Sequence, residues 1–339
     1  MIKPGPRNLL TDVPGLLVGN AEDRVVRTGT TAILPEDGSA LIAAVDVRGG
    51  ASGTRNTAAL ESSDIATGVH GLVLSGGSEF GLAAADGMVE WLSARRRGLD
   101  LGPRPIPVTS AAILFDLNNG GDKTWQGESP YRRLGMAACE AASRDFALGT
   151  AGAGYGAQAG RIKGGLGSAS AVDDGTGLVV GAIVAVNAVG SVTMPDSPVF
   201  WAWPFEIGAE FGGLAPPRSR PTGEHLAPFR DAKIGANTTI GVIATNAKLN
   251  RQAAKRVAIM AQDGFARAMR PAHTPFDGDT IFTLATGAIP FDPDGPMGVA
   301  WLGAMAADCM ARAVARGVYE ATAINEIPSY KDRFGPGGV

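Results

Sequence analysis

Twelve consecutive residues, Gly235-Ala236-Asn237-Thr238-Thr239-Ile240-Gly241-Val242-Ile243-Ala244-Thr245-Asn246, constrain the fold of this chain most tightly. Two loop formers, Gly235 and Asn237, lead straight into a β-type run. Threonines stand at the mouth of that buried strand, where a hydroxyl can be held rigidly as a nucleophile. An alcohol is a weak nucleophile and needs an adjacent base. Cutting the Asn237–Thr238 bond would supply one, because a free α-amine titrates near ~7.7–8.0. A threonine paired with its own terminal amine is a known nucleophile–base arrangement. The Thr238 hydroxyl could make the cut itself, by attacking the Asn237 carbonyl and leaving an ester that hydrolyses. The alternative is an ordinary Asn turn before a strand, which threonine favours. These residues alone leave both readings open.

Glycine contributes 48 of 339 residues, about twice its usual ~7% share. No collagen-like period or low-complexity block accounts for it, so the glycines serve tight turns and close backbone approaches. Hydrophobic residues make up 45%, enough for a large core, and the net charge of −3 is interspersed. That excludes the electrostatic footprint of a nucleic-acid binder. Cys139 and Cys309 lie among apolar neighbours in predicted helices and read as buried thiols. Met1 to Leu10 has no apolar signal core. The longest apolar run, Leu178 to Val186, falls short of the ~20 residues that span a bilayer. The expectation is a soluble, cytoplasmic protein without a membrane partner, read as a single domain over 1–339.

Short strands are predicted at Leu16–Val18, Thr30–Leu34 and Ala40–Val47, with Pro35-Glu36-Asp37-Gly38 as a hairpin turn. Arg48 to Arg55 reads as a Gly-rich loop, and Leu72–Leu74 as a strand ending in Ser75-Gly76-Gly77-Ser78. A helix is predicted from Ser78, its N-cap, to about Arg97. Ala111–Phe115 is the next strand, and 130–145 a helix. Residues 150–170 are glycine-dense, and Leu178–Val186 is a continuous apolar strand ending at Asn187. The Pro- and Gly-rich stretch 205–235 reads as an exposed linker. A helix over Leu249 to about Met269, a strand over Thr280–Thr286 and a helix over Met297–Tyr319 complete the chain. Sheets with helices on their faces, without strict βαβ alternation, predict a four-layer α/β/β/α sandwich.

Three histidines, His70, His225 and His273, are scattered without metal-ligand spacing, so no metal site is expected. Gly154-x-Gly156-x-x-Ala159 with Asp173 imitates a dinucleotide fingerprint, but the strand–helix context is missing. Lys163 precedes two glycines that permit close backbone approach, which favours a buried lysine. Asp277-Gly278-Asp279 precedes a strand: either an Asp-Gly turn, or two carboxylates that orient an amine or share a proton. Asn187 must satisfy its amide, as a structural bracket or as an oxyanion donor.

Several motifs in one order then carry a resemblance across nearly the whole chain. They are Leu10-Thr11-Asp12-Val13-Pro14-Gly15, Val45-Asp46-Val47-Arg48-Gly49-Gly50, Leu74-Ser75-Gly76-Gly77-Ser78-Glu79-Phe80-Gly81-Leu82, Lys163-Gly164-Gly165-Leu166-Gly167-Ser168 and Asn237-Thr238-Thr239-Ile240. The chain resembles the DmpA-like aminopeptidases, the L-aminopeptidase/D-esterase family that includes β-peptidyl aminopeptidases and nylon-oligomer hydrolases. The resemblance implies an α/β/β/α fold like that of N-terminal-nucleophile hydrolases, with different strand connectivity. It implies self-cleavage between Asn237 and Thr238 into chains 1–237 and 238–339, with Thr238 as nucleophile. Lys163 then tunes the nucleophile, Asn187 stabilises the oxyanion, and Asp277 and Asp279 hold the nucleophile or a substrate amine. Aminopeptidase members have Ser and Glu at that acidic pair, which weakens α-aminopeptidase specificity. Phe115, Tyr155 and Gly77 are the expected substrate-binding positions; a tyrosine of some members falls at Phe115. No cofactor is implied. The implied partners are a small peptide or amide substrate and further copies of the chain, as a tetramer of processed heterodimers. The rival readings are a hydrolase of non-peptide amides or esters, such as ω-amino-acid oligomers or pantetheine, and an unprocessed binding or assembly protein.

Overall fold

The computed structural model describes residues 1–61, 68–216, 237–324 and 326–335. Two sheets form its middle. The first runs in the order β1 (Ile2–Lys3), β10 (Gly165–Asp173), β11 (Val179–Val186), β12 (Ile240–Ala247), β13 (Thr280–Ile289) and β4 (Ile42–Val47). Its neighbours are antiparallel except β12 and β13, which are parallel. The second runs β2 (Leu16–Asp23), β3 (Thr28–Pro35), β6 (Gly71–Ser75), β7 (Thr109–Ile113) and β5 (Gly53–Arg55), with β6 and β7 parallel. A small ribbon pairs β8 (Gln158–Ala159) with β9 (Ile162–Lys163).

Three apolar clusters define four layers. Between the sheets lie Leu16, Ile33, Leu72 and Leu74 from one side and Ile183, Ala185, Val242 and Phe282 from the other. Outside the first sheet, Val180, Ala182, Val184 and Val186 meet α3 (Arg251–Ala268) and α4 (Pro296–Tyr319). Outside the second, Ala32, Leu34 and Val73 meet α1 (Ala84–Ala94) and α2 (Tyr131–Glu140). A last short helix is α5 (Tyr330–Phe334). Strand side chains alternate between faces, so β11 is apolar throughout because both its faces are covered. The α/β/β/α sandwich is therefore observed as expected. Helix α3 starts behind Asn250, whose side chain accepts the Ala253 N–H at 2.8 Å, an ordinary N-cap. Among the described residues no helix is long and apolar enough to cross a membrane.

Several local expectations need correction. The turn after Pro35 is not a hairpin: β3 belongs to the second sheet and β4 to the first, where β4 pairs with β13. Proline and glycine mark a reversal and carry no information about the partner strand. Gly53–Arg55, read as loop, is an edge strand on β7. Ser78 caps no α-helix. Gly77 at φ +90 and Ser78 at φ +53 lead into a 3-10 turn, Ser78–Ala83, and α1 begins only at Ala84. Helix α2 stops at Glu140, because Ser143 bonds to Val18 in both directions and draws the chain back onto β2. The strand expected at Ala111–Phe115 runs Thr109–Ile113. Within the glycine-dense region, Gly165–Asp173 is strand β10. Its glycines let α4 approach: a Cβ at Gly167 would stand 1.9 Å from the Ala313 carbonyl oxygen.

The linker expected over 205–235 lies outside the described residues beyond 216, and the part before it is not exposed throughout. Phe211 packs edge-on against Phe200, their ring centres 5.5 Å apart. Glu210 accepts from Arg312 of α4 at 2.5 and 2.9 Å and from Asn8 Nδ2 at 2.6 Å. Arg312 also donates to the Ser170 carbonyl at 2.7 Å, and the ion pair is buried. Removing one partner of a buried pair leaves an uncompensated charge. Glu210→Ala should therefore lose roughly 3–5 kcal/mol in urea unfolding. A loss below about 1 kcal/mol would mean that the Arg312 guanidinium is not held this way.

Candidate active site

Strand register gathers the site at one end of the first sheet. Ile240 of β12 lies opposite Thr280 of the parallel β13, so the residues just before each strand, Thr238–Thr239 and Gly278–Asp279, stand side by side. On the other side of β12, Ala185 of the antiparallel β11 lies opposite Ile240. That brings Asn187 level with Thr238, whose N–H donates to the Asn187 carbonyl at 2.6 Å. Gly165 of β10 pairs with Val186, which sets Lys163 and Gly164 at the same end. After β4, the Arg48 and Gly49 N–H groups donate to the Asp279 carbonyl at 2.9 and 3.2 Å.

Thr238 is buried, and its hydroxyl donates to the carbonyl oxygen of Asn237 at 2.5 Å. Gly278 packs against this side chain: a Cβ there would lie 2.7 Å from Thr238 Oγ1. The two carboxylates flanking Gly278 are 2% and 1% exposed at Asp277 and Asp279. Asp279 Oδ1 accepts the Thr239 N–H at 3.0 Å; Oδ2 accepts the His273 N–H at 2.9 Å and faces His273 Nδ1 at 2.9 Å. Asp277 Oδ2 accepts the Thr274 N–H and hydroxyl at 3.0 and 2.6 Å, and Oδ1 accepts the Val189 N–H at 3.3 Å. Burial, and then repulsion from Asp279, raise the pKa of Asp277.

Asn187 brackets the two sheets. Its Oδ1 accepts the Gln158 N–H at 2.9 Å, and its Nδ2 donates to the Phe115 carbonyl, just after β7, at 2.9 Å. An amide nitrogen carries two hydrogens, and the bond to Phe115 uses one. Lys163 is fully buried, and its Nζ donates to the carbonyls of Gly154, Ala157 and Gly164, each at 2.9 Å. It thus holds the loop whose next residue, Gln158, bonds to Asn187. Burial pushes the Lys163 pKa down to about 7, against the pull of the Asp116 carboxylate.

The structure brings Thr238, Asn187, Asp277 and Asp279 together and ties Lys163 to them through the 154–158 loop. Phe115 and Tyr155 are partly buried; Phe115 reaches the group through its carbonyl. Gly77 lies one step away, its N–H donating to Asp116 Oδ1 at 2.8 Å, and a Cβ there would strike the Tyr131 ring. Sequence reasoning missed Asp116, which also accepts the Thr28 hydroxyl at 2.7 Å and whose pKa burial raises. An acid directly after an apolar strand was the available signal. It also set His273 aside, because a lone histidine has no spacing to judge. His70 is buried elsewhere, accepting the Val108 N–H at 3.1 Å, and His225 lies outside the described residues. Cys139 and Cys309 are buried free thiols.

The sequence profile of peptidase family S58 matches residues 8–330. An uncharacterized aminopeptidase of Mycobacterium tuberculosis is 42% identical over 96% of this chain and 98% of its own length. A 6-aminohexanoate-oligomer endohydrolase of Paenarthrobacter ureafaciens is 28% identical over 91% of this chain and 86% of its own. Among solved structures, the L-aminopeptidase D-Ala-esterase/amidase of Ochrobactrum anthropi, described as a variant of the Ntn hydrolase fold, superposes with a TM-score of 0.70. It is 22% identical, covering 94% of this chain and 88% of that one.

The buried lysine has a consequence for pH. Unfolded, Lys163 keeps its proton up to ~10.4; folded, it releases it at about 7. Between those values the unfolded chain holds the extra proton, so stability from this group rises with pH across the window and is level below it. The stability of wild type relative to Lys163→Met, from urea unfolding, should therefore increase between pH 7 and pH 9. A constant difference would show that the folded lysine keeps its proton.

Proposed function

The chain belongs to peptidase family S58 and is a peptidase/amidase hydrolase; from that premise we propose that it cuts itself between Asn237 and Thr238 and then hydrolyses amides with Thr238. The observation that carries this reading is the Thr238 hydroxyl on the Asn237 carbonyl oxygen at 2.5 Å. In the first step Oγ1 bonds to the Asn237 carbonyl carbon, the hydroxyl proton passes to the Thr238 nitrogen, and the C–N bond breaks. The acyl group is left on oxygen and an amine on Thr238. Water then hydrolyses the ester, giving the Asn237 carboxylate and a free N-terminal threonine.

In turnover the amine takes the hydroxyl proton as Oγ1 attacks the substrate carbonyl, and returns it to the leaving amine. Water releases the acyl group. Asn187 supplies the second hydrogen of its Nδ2 to the oxyanion, a type of donor whose loss commonly costs ~10²–10³ in rate. Lys163 acts through the loop carbonyls it holds. Asp277 and Asp279 orient the nucleophile strand: both carboxylates are buried, and the Oδ2 of each is taken up by two groups of the 273–274 turn. Each Oδ1 accepts one protein hydrogen and keeps a site for a second, so a substrate amine and an amide without one are both kept as readings of the substrate.

Purified protein should give two bands on a denaturing gel, with Edman sequencing of the smaller starting Thr-Thr-Ile-Gly. Thr238→Ala should stay full-length and inactive; an active, uncleaved variant would end this mechanism. The rate per site should rise with pH through an ionisation near the free-amine value of ~7.7–8.0. An aminoacyl anilide and its N-acetylated form separate the substrate readings: hydrolysis of the first alone makes the enzyme an aminopeptidase.

Gly278→Ala offers an independent check. Its Cβ would stand 2.7 Å from both Thr238 Oγ1 and the Ala51 carbonyl oxygen, so the contact between this turn and Thr238 must shift, and misplacement by about 1 Å can cost ~10²-fold. Self-cleavage should slow by about that factor while circular dichroism stays native. Cleavage at the wild-type rate would mean that the Thr238 rotamer is not critical.

A further inference from the structure

The threonine mechanism leaves the titratable side chain that touches Asp279 without a task. His273 lies on the loop between α3 and β13, at φ +58 and with its side chain 21% exposed. Positive φ is uncommon for a residue other than glycine. In this conformation its backbone N–H and its ring Nδ1 both reach Asp279 Oδ2, each at 2.9 Å. An ionised carboxylate only accepts, so against ionised Asp279 the hydrogen sits on Nδ1. The other oxygen of Asp279 accepts the Thr239 N–H at 3.0 Å. The carboxylate is therefore gripped from both sides, by His273 on one and by the neighbour of Thr238 on the other.

We infer that His273 is a positioning residue, whose ring fixes the rotation of the Asp279 carboxylate and, through Thr239, holds the Thr238 hydroxyl on its target. This rests on the threonine-nucleophile reading. The next residue, Thr274, grips Asp277 with its own N–H and hydroxyl, so one turn holds both carboxylates apart. The neighbouring cations are engaged elsewhere. Arg48 donates to Asp46 at 2.8 Å, and Arg270 stands over the Trp201 ring at 4.8 Å. On the α3 side, the ring of His273 meets the uncharged ring of Phe265, with centres 6.2 Å apart. The Nδ1 hydrogen is the side-chain donor that the structure gives Asp279.

The test uses the full chain with three substitutions. His273→Gly fits the positive φ and keeps the backbone bond, deleting only the ring. His273→Leu deletes the donor but keeps bulk. His273→Asn tolerates the same backbone and can donate from Nδ2. Chain scission and kcat should fall about 10–10²-fold in the first two, as expected for a misplaced nucleophile, with KM for the anilide little changed. His273→Asn should recover most of the loss. Wild-type scission and kcat in a folded Gly or Leu variant, a loss confined to KM, or an Asn variant as slow as Leu would each overturn the inference. Scission of Thr238→Ala in the same experiment would instead overturn the threonine reading beneath it.

Discussion

The site depends on one pairing, the parallel contact between β12 and β13. Parallel strands present the same end, so the chain enters both from one side of the sheet. With Ile240 opposite Thr280, the segment before β12 and the segment before β13 must lie together. That register sets Thr238 against Gly278 and Thr239 against Asp279, although forty residues separate them. A slip of one residue would turn every side chain of the strand to the other face. Ile243 packs toward the helices and Val242 and Ala244 toward the second sheet, and in a close-packed interior each fits only its own place, which opposes the slip.

The end of the sandwich where the site sits is polar inside an apolar body. Lys163, Asp116, Asn187, Asp277 and Asp279 are all buried there. Each buried polar group needs partners, since an unsatisfied one costs about 1–3 kcal/mol or more. Most of those partners are backbone groups: three carbonyls for Lys163, the Gln158 N–H and Phe115 carbonyl for Asn187, the Thr239 and His273 N–H groups for Asp279. The side chains thus fix loops that have no regular structure of their own. A site assembled in this way is preorganised before any substrate arrives, which is what positional catalysis requires.

Much of this was legible beforehand. The apolar runs at Leu178–Val186 and Ile240–Ala244 announced strands covered on both faces. The long 3.6-residue patterns announced α3 and α4, whose observed bounds lie within a few residues of those expected. Asn237-Thr238-Thr239, Lys163, Asn187 and Asp277-Gly278-Asp279 stand out in the sequence for their chemistry, and register brings them to one sheet end. The failures share a cause. The turn at Pro35–Gly38 gave no partner for β4, and the Gly/Ser/Ala run of β10 lacks the β-branched residues that signal a strand. Its pairing comes instead from small side chains that let α4 press close. Asp116 and His273 escaped because a single polar residue has no periodicity; only its neighbours in space reveal it.

What the sequence determined by itself was local: which segments are apolar on one face or two, where the chain can turn, and which hydroxyl follows an asparagine at a strand mouth. These follow from side-chain chemistry within a few residues. What only the tertiary structure decided was adjacency. Strand order, the parallel pairing of β12 with β13, and the loops drawn onto Lys163 and Asn187 are set by contacts between residues far apart in the chain. No local pattern encodes them, because backbone hydrogen bonds are alike at every strand edge. Selection among the possible pairings falls to the burial of whole faces, and that is a property of the assembled layers.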